Sequence, residues 1–110
     1  MSTINPATQA IEQDGTLLPM ESMTCICKAL GHPVRMQIVA LLKAEAPCFC
    51  GQIVKRLPLA QSTVSQHLKH LREAGIITGE TEGSGTIYCL NRGLLRQFKK
   101  SLASFVEELR

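Results

Sequence analysis

The segment QSTVSQHLKHLREAG, residues 61–75, decides the fold. Val64, Leu68 and Leu71 recur at spacings of four and three, so they share one face of a predicted helix over residues 61–74. Short polar side chains occupy the opposite face, and Gly75 is a suitable helix end. The segment therefore predicts an amphipathic helix that buries one side and presents a small, polar surface on the other.

A shorter helix is predicted directly before this segment. The residue before Pro47 is pushed towards extended backbone, so residues 48–50 are expected to be extended and a helix to cover residues 51–57. Pro58 closes that helix. A short helix, a tight turn and a longer helix make a helix-turn-helix, in which the second helix lies in the major groove of DNA.

The exposed positions of the longer helix predict which side chains touch DNA. Small side chains allow close approach to base edges, and glutamine can form two hydrogen bonds with a base such as adenine. The base-contact candidates are Gln61, Ser62, Thr63, Ser65 and Gln66. Cations instead hold phosphates, and the candidates are Lys55, Arg56, Lys69 and Arg72. The net charge is only +3, and a polar outer face is usually just solvated, so a second DNA-binding feature has to support this interpretation.

The chain beyond residue 75 supplies that feature. Residues 76–81 and 86–90 are β-rich runs on either side of a Gly-Ser-Gly turn, which predicts a hairpin wing. Upstream, Met23, Cys27 and Leu30 predict a helix over residues 20–30 that ends at Gly31 in the left-handed conformation. A further helix over residues 33–44 has its core face at Val34, Ile38, Leu41 and Leu42. The predicted fold is mainly α with a two-stranded β wing, a winged helix-turn-helix, with residues 1–19 as a flexible arm and residues 20–110 as the domain.

The last helix, from about Arg92, carries an apolar seam. Phe98, Leu102, Phe105 and Leu109 recur at spacings of four, three and four. One small domain has little left to cover such a stripe, so we expect it to form a homodimer interface together with the helix over residues 20–30. Packing between these two helices of one chain is the alternative, and both can hold.

Four motifs in this order resemble the ArsR family of metal-sensing repressors, also called ArsR/SmtB. They are ALGHPVR at residues 29–35, QSTVSQHL at 61–68, LREAGII at 71–77 and IYCL at 87–90. The resemblance implies a homodimer that binds operator DNA and releases it when an inducer binds, with bases read at Gln61, Ser62, Ser65 and Gln66. His32 and Ala60 depart from the family, because they stand where stronger helix N-caps are common.

The chain has five cysteines, an odd number that fits a disulfide framework poorly and favours reactive or metal-binding thiols. Cys48 and Cys50 stand where the arsenic-responsive members carry a cysteine pair. Two residues apart in an extended segment, they share a face, and the following helix start is expected to favour their thiolates. Thiolates select trivalent arsenic or antimony, or cadmium, lead and zinc. Ile53 stands where a third cysteine is usual, so we expect a further ligand from Cys89, or from Cys25 and Cys27 across the dimer.

Other functions are less well supported by the sequence. We expect no catalytic activity, because Gly51, Gln52 and Ile53 after Cys50 do not form an anion-cradling loop. We also expect no permanent cofactor, no membrane partner and a cytoplasmic location. A repressor of the same fold that senses oxidants or reactive sulfur through these cysteines is the alternative function. His67 is expected to be a hydrogen-bonded structural residue.

Overall fold

The computed structural model describes residues 17–83 and 85–109. Within these residues, five helices and three strands follow one another, and each predicted element is present within two residues of its expected bounds. In order they are α1 Met20–Leu30, α2 Pro33–Glu45, β1 Cys48–Phe49, α3 Cys50–Lys55, α4 Gln61–Glu73, β2 Ile77–Glu82, β3 Gly85–Leu90 and α5 Arg92–Glu107. The architecture is a winged helix-turn-helix, as predicted.

The sheet is antiparallel in the order β1-β3-β2. Strands β2 and β3 form the wing, with Ile77 opposite Leu90 and Glu82 opposite Gly85. The two-residue strand β1 pairs with β3, which places Cys48 opposite Tyr88 and Phe49 opposite Ile87. The segment that leads into the helix-turn-helix is therefore tied to the wing by its backbone.

The core lies between α2, α4 and the inner face of the sheet. Val64, Leu68 and Leu71 of α4 are buried, as are Ile38 and Leu42 of α2. These are positions that the spacing predicts. They anchor α4 by one face and leave its polar face outside.

The face of α1 that is buried within the protomer is not the apolar stripe that defines the helix in the sequence. Cys27 is exposed and Met23 and Leu30 are half-buried, whereas the helix buries Ser22, Ile26 and Ala29. The stripe of Met23, Cys27 and Leu30 thus lies beside the face that contacts the core. Gly31 ends the helix as expected, but its φ of −79° is not left-handed.

Three helix ends differ in how their free backbone groups are satisfied. His32 is the N-cap of α2, and its Nδ1 accepts a hydrogen bond of 3.1 Å from the backbone N–H of Val34. The imidazole thus supplies a cap at this position, whereas Ala60 gives α4 no side-chain cap. Gly75 has a φ of +81°, and α4 ends in a Schellman motif. In this motif the N–H of Ile76 donates to the carbonyl oxygen of Leu71, and the N–H of Gly75 donates to that of Arg72.

The folded part begins before Met20. Leu18, which the prediction places in the arm, is 5% exposed. Its N–H donates a 2.7 Å hydrogen bond to Oγ of Ser101 on α5. The prediction of a flexible arm otherwise falls on residues 1–16, which lie outside the described part of the chain.

In the described part of the chain, no single helix is long and apolar enough to cross a bilayer. Only α1 and α2 taken together, bent by 96°, meet such a test of length and composition.

Candidate nucleic-acid interface and thiol site

The polar face of α4 is exposed to solvent. All six predicted contact residues on this helix are exposed, and they are Gln61, Ser62, Thr63, Ser65, Gln66 and Lys69. The helix follows α3 across the turn at residues 56–60, and the two helices pack against each other. The arrangement offers a surface of short donors and acceptors that can approach base edges closely.

The four predicted phosphate-binding cations are also exposed, but they are not equivalent. Lys55, Lys69 and Arg72 lie on the surface of the helix-turn-helix. The Arg56 guanidinium instead forms a 2.6 Å ion pair with the Glu45 carboxylate. Part of the positive charge expected from the sequence is therefore neutralised within the fold.

The segment Cys48–Cys50 contacts three different parts of the molecule. The Cys48 side chain is 4% exposed, and its Sγ donates to the backbone carbonyl of Glu45 at 3.2 Å. The Cys50 thiol is half-buried, and its Sγ lies 4.0 Å from Oγ of Ser65 on α4. The intervening Phe49 is exposed on the wing side, where its ring closely approaches Gly85, leaving only 3.1 Å for a Cβ there.

The contact between Cys50 and Ser65 joins the two predicted sites. Ser65 belongs to the base-contact candidates, and Cys50 belongs to the predicted thiol pair. The sequence predicts that Cys50 is extended, whereas it is the first residue of α3, and the sequence does not reveal that its side chain meets that of Ser65. A chemical change at the Cys50 sulfur would act directly on the helix predicted to read DNA.

The Cys48 thiol is not poised as a thiolate. Burial raises its pKa above the ordinary value, the Glu45 carboxylate raises it further, and Arg56 opposes these effects. This direction is opposite to the one expected from a helix start. The surroundings of Cys48 thus favour the protonated thiol.

Cys89 is adjacent to the thiol pair in the sheet but lies on the other face. Cys48 is opposite Tyr88 across the β1–β3 pair, and both side chains are buried. Because successive side chains alternate, Cys89 shares the outer face with Ile87 and Phe49. This register does not place Cys89 on the face of Cys48, although the Cys89 thiol is close enough to raise the pKa of Cys48.

The remaining cysteines lie on α1. Cys25 is half-buried and Cys27 exposed. Among residues 17–83 and 85–109, no group of three or more His, Cys, Asp or Glu side chains is arranged to hold a metal ion. The described part of one protomer thus does not assemble a complete metal site.

The apolar seam of α5 is buried at one end and exposed at the other. Phe98 packs against the core and Leu102 is half-buried, whereas Phe105 is 38% and Leu109 64% exposed. Three more apolar side chains are exposed on the same part of the surface as Phe105 and Leu109, namely Val106, Leu17 and Met20. A groove between α1 and α5, lined by Met20, Met23 and Phe105, runs through this surface. We call the exposed residues Leu17, Met20, Phe105, Val106 and Leu109 the apolar end.

An inward-facing polar cluster on the other side of α4 has no predicted function. His67 Nδ1 accepts a 3.3 Å hydrogen bond from Arg35 Nε, which confirms His67 as a hydrogen-bonded residue. Its ring lies 4.4 Å from that of His32. Arg35 is the last residue of the motif ALGHPVR, but nothing in that motif indicates which helix its side chain contacts.

A helix-turn-helix with an exposed polar second helix and an adjoining β wing defines a class, the winged helix-turn-helix regulators. Residues 30–80 match the family described as a helix-turn-helix domain. The chain belongs to the ArsR/SmtB family of helix-turn-helix transcriptional regulators.

Three relatives support this membership. The SmtB repressor of Mycobacterium tuberculosis is 42% identical over 65 residues, 59% of this chain and 47% of that protein. An uncharacterised helix-turn-helix regulator of Methanocaldococcus jannaschii is 39% identical over 57% of this chain and 71% of its own length. The arsenical resistance operon repressor of Staphylococcus xylosus is 28% identical over 74% of this chain and 78% of its length. The chain thus spans about half the length of the SmtB repressor that it matches.

Solved structures have the same fold. A possible transcriptional regulator for arsenical resistance superposes with a TM-score of 0.64 at 29% identity, covering 71% of this chain and 80% of that one. A homodimeric winged helix-turn-helix domain from Mycobacterium bovis gives a TM-score of 0.65 at 23% identity, covering 83% of this chain and 84% of that one. The second likeness concerns the fold alone.

Proposed function

We propose that the protein is a homodimeric transcriptional repressor that binds operator DNA through α4 and the wing. The observation that carries this proposal is the exposed row of short polar side chains on α4, anchored by a buried apolar face on the opposite side. Gln61 and Gln66 hydrogen-bond bases, and Lys69 holds a phosphate. Two copies related by a two-fold axis read half-sites about one helical turn, roughly 34 Å, apart.

The dimer forms through the apolar end of α1 and α5. Exposed apolar surface of this kind is costly in water and usually marks a partner surface. Phe105 and Leu109 extend the seam that Phe98 and Leu102 begin inside the protomer. A second copy of this chain covers the apolar end, and the homodimeric relative of the same fold supports this assembly.

A thiophilic inducer releases the DNA. Cys48 and Cys50 bind trivalent arsenic or antimony, or a soft ion such as cadmium, lead or zinc, through their sulfurs. The contact of 4.0 Å between Cys50 Sγ and Ser65 Oγ supports this proposal, because a change at the sulfur reaches the DNA-reading helix without an intermediary. The relative named for arsenical resistance supports the choice of inducer.

A further ligand is needed for arsenic, which three sulfurs bind. Cys89 is the nearer candidate along the sheet, but its side chain has to come from the outer face. Cys27 is exposed on α1, next to the proposed dimer surface, so it and Cys25 are the candidates from the partner subunit. In either case, binding has to rearrange the segment between α2 and α3.

The second candidate function is a redox or reactive-sulfur sensor of the same fold. The absence of any three-ligand group in the described residues favours it, because a disulfide or polysulfide link needs only two thiols. A disulfide forms when two thiols lose two electrons and two protons to an oxidant; in a polysulfide link the reactive sulfur species supplies the additional sulfur atoms, takes up the electrons and leaves in part as sulfide. In this case the formation of a sulfur–sulfur link, and not the binding of an ion, rearranges the segment between α2 and α3.

One experiment tests the repressor and separates the two inducers. A duplex selected by the reduced protein from a random library serves as the probe, and binding is followed by fluorescence anisotropy. We expect arsenite to weaken binding about a hundredfold, which corresponds to about 2.7 kcal/mol of coupling. The double variant Cys48→Ser, Cys50→Ser should bind the duplex but not release it.

The controls decide each part separately. Single changes of Cys25, Cys27 and Cys89 to serine identify the further ligand, and polysulfide replaces arsenite in a parallel titration. A protein that selects no duplex would contradict the repressor proposal. A double variant still released by arsenite would show that the inducer binds elsewhere, and release by polysulfide alone would favour the second candidate.

A further inference from the structure

The inner side of the DNA-reading helix carries a polar cluster that joins three helices. His67 on α4 is half-buried, and its Nδ1 accepts a 3.3 Å hydrogen bond from Arg35 Nε. The rings of His67 and His32 lie 4.4 Å apart at an angle of 47°. Helix α4 is thus joined to the start of α2 by a hydrogen bond, which is directional, as well as by apolar contacts.

The same arginine is anchored at its other end. One terminal nitrogen of Arg35 donates to the carbonyl oxygens of Ala29 at 3.1 Å and Lys28 at 3.4 Å, in the last turn of α1. His32 in turn caps α2 by accepting from Val34 N–H. A rigid, planar guanidinium held from two sides fixes the position of the imidazole that it contacts.

We propose that Arg35 and His67 position the recognition helix α4 for sequence-specific DNA binding. The apolar face of α4 resists separation from the core but allows small rotations and slides, whereas a hydrogen bond depends steeply on distance and angle. His67 directly follows Gln66, a proposed base-reading residue. A small rotation of α4 would move Gln66 relative to the base edges. This inference rests on the proposed DNA binding but is independent of the inducer.

The contact requires an unprotonated Nδ1 on His67. Burial lowers the pKa of His67 below its ordinary value, and the positive charges of His32, Arg35 and His70 lower it further. Lys28, His70 and Glu73 line the cavity of about 370 Å³ that adjoins Arg35. Glu73 contributes a negative charge to the lining of this cavity, whereas Lys28 contributes a positive charge and His70 an imidazole.

The direction of the pH effect follows from this arrangement. Above the ordinary histidine pKa of about 6.5, His67 is neutral and accepts the bond from Arg35. As the pH falls through the lowered pKa, a proton on Nδ1 removes the acceptor and places an imidazolium against the guanidinium. Specific binding therefore weakens in acid, whereas non-specific binding, which depends on total positive charge, does not weaken.

The test compares a selected duplex with a scrambled duplex of equal length at about pH 7.5 and about pH 5.5. For the unaltered protein, we expect the ratio of the two affinities to fall in acid, by less than the roughly tenfold that an ordinary histidine pKa would give, because the pKa of His67 is lowered. His67→Gln keeps an acceptor but cannot take up the proton, so its ratio should change little with pH. The comparison variant His70→Gln removes an exposed histidine of the same helix whose charge lowers the pKa of His67, so the fall in the ratio should persist and move to higher pH.

A second variant tests Arg35 itself. Arg35→Lys retains the charge but loses the planar group that bridges α1 and α4, so specific affinity should fall at both pH values while non-specific affinity is kept. Circular dichroism confirms that each variant is folded. A wild-type pH profile in His67→Gln, or a proportional loss of specific and non-specific affinity in Arg35→Lys, would overturn the proposal. Failure of the unaltered protein to bind any duplex would instead overturn the proposed function.

Discussion

Lys69 and Arg56 are both exposed cations of the helix-turn-helix, yet the structure predicts different contributions to DNA binding. Lys69 lies on the open face of α4, whereas the Arg56 guanidinium is 2.6 Å from the Glu45 carboxylate. Each phosphate neutralised by a protein adds about 0.9 to the slope of log affinity against log salt. In a two-fold dimer, Lys69→Ala removes two such contacts and should lower the slope by about 1.8.

This change is large enough to measure directly. Between about 50 and about 200 mM salt, a slope lower by about 1.8 reduces the salt-induced loss of affinity by roughly tenfold. Fluorescence anisotropy with the selected duplex, repeated over this salt range, gives the slope. Arg56→Ala is the matched control and should lower the slope by much less, because its charge is already paired.

A third variant separates charge from base reading. Gln66→Ala should leave the slope unchanged and relax the preference for the selected duplex over a scrambled one. An unchanged slope in Lys69→Ala together with a lowered slope in Arg56→Ala would refute the reasoning, because the ion pair with Glu45 would then open on DNA binding.

Three further predictions concern assembly, the end of α4 and thiol reactivity. Leu109→Glu places a charge on the apolar end, where Leu109 is 64% exposed in the protomer. The dissociation constant of the dimer, measured by sedimentation equilibrium, should rise about a hundredfold or more, while the protomer keeps its stability. Gly75→Ala forces a side chain into a φ of +81°, so chemical denaturation should show a loss of about 1 to 2 kcal/mol, and Gly75→Asn should lose less. At mildly alkaline pH, iodoacetamide should modify the exposed Cys27 faster than Cys48, because burial raises the pKa of the Cys48 thiol. Mass spectrometry of partially alkylated protein measures both rates, and equal rates would contradict the buried placement of Cys48.

Most of the fold follows from patterns that the sequence displays openly. The helix-turn-helix and wing are predictable because Val64, Leu68 and Leu71 have helical spacing and Gly75 ends their helix where a left-handed residue is required. The orientation of α1 is not predictable in the same way. Two adjacent faces of that helix are apolar enough to be buried, and the choice falls on the one that contains the polar but small Ser22.

The candidate site is predictable residue by residue but not as a set of contacts. The exposed polar face of α4 follows from its period, since the buried positions determine the exposed ones. The approach of Cys50 to Ser65 depends on how α3 packs against α4, and no spacing within one segment contains that information. The face of Cys89 depends on the register between β1 and β3, since a shift by one residue would reverse it.

The hydrogen bond from Leu18 N–H to Ser101 Oγ joins residues separated by 83 positions. A contact of such long range forms only after most of the intervening chain has ordered, because closing a long loop costs entropy before the contact repays it. During synthesis, Leu18 therefore stays exposed until α5 has been made. The helix-turn-helix and wing, whose contacts are more local, can fold first, so the DNA-binding surface is expected to exist in the nascent protomer before the surface for its partner is complete.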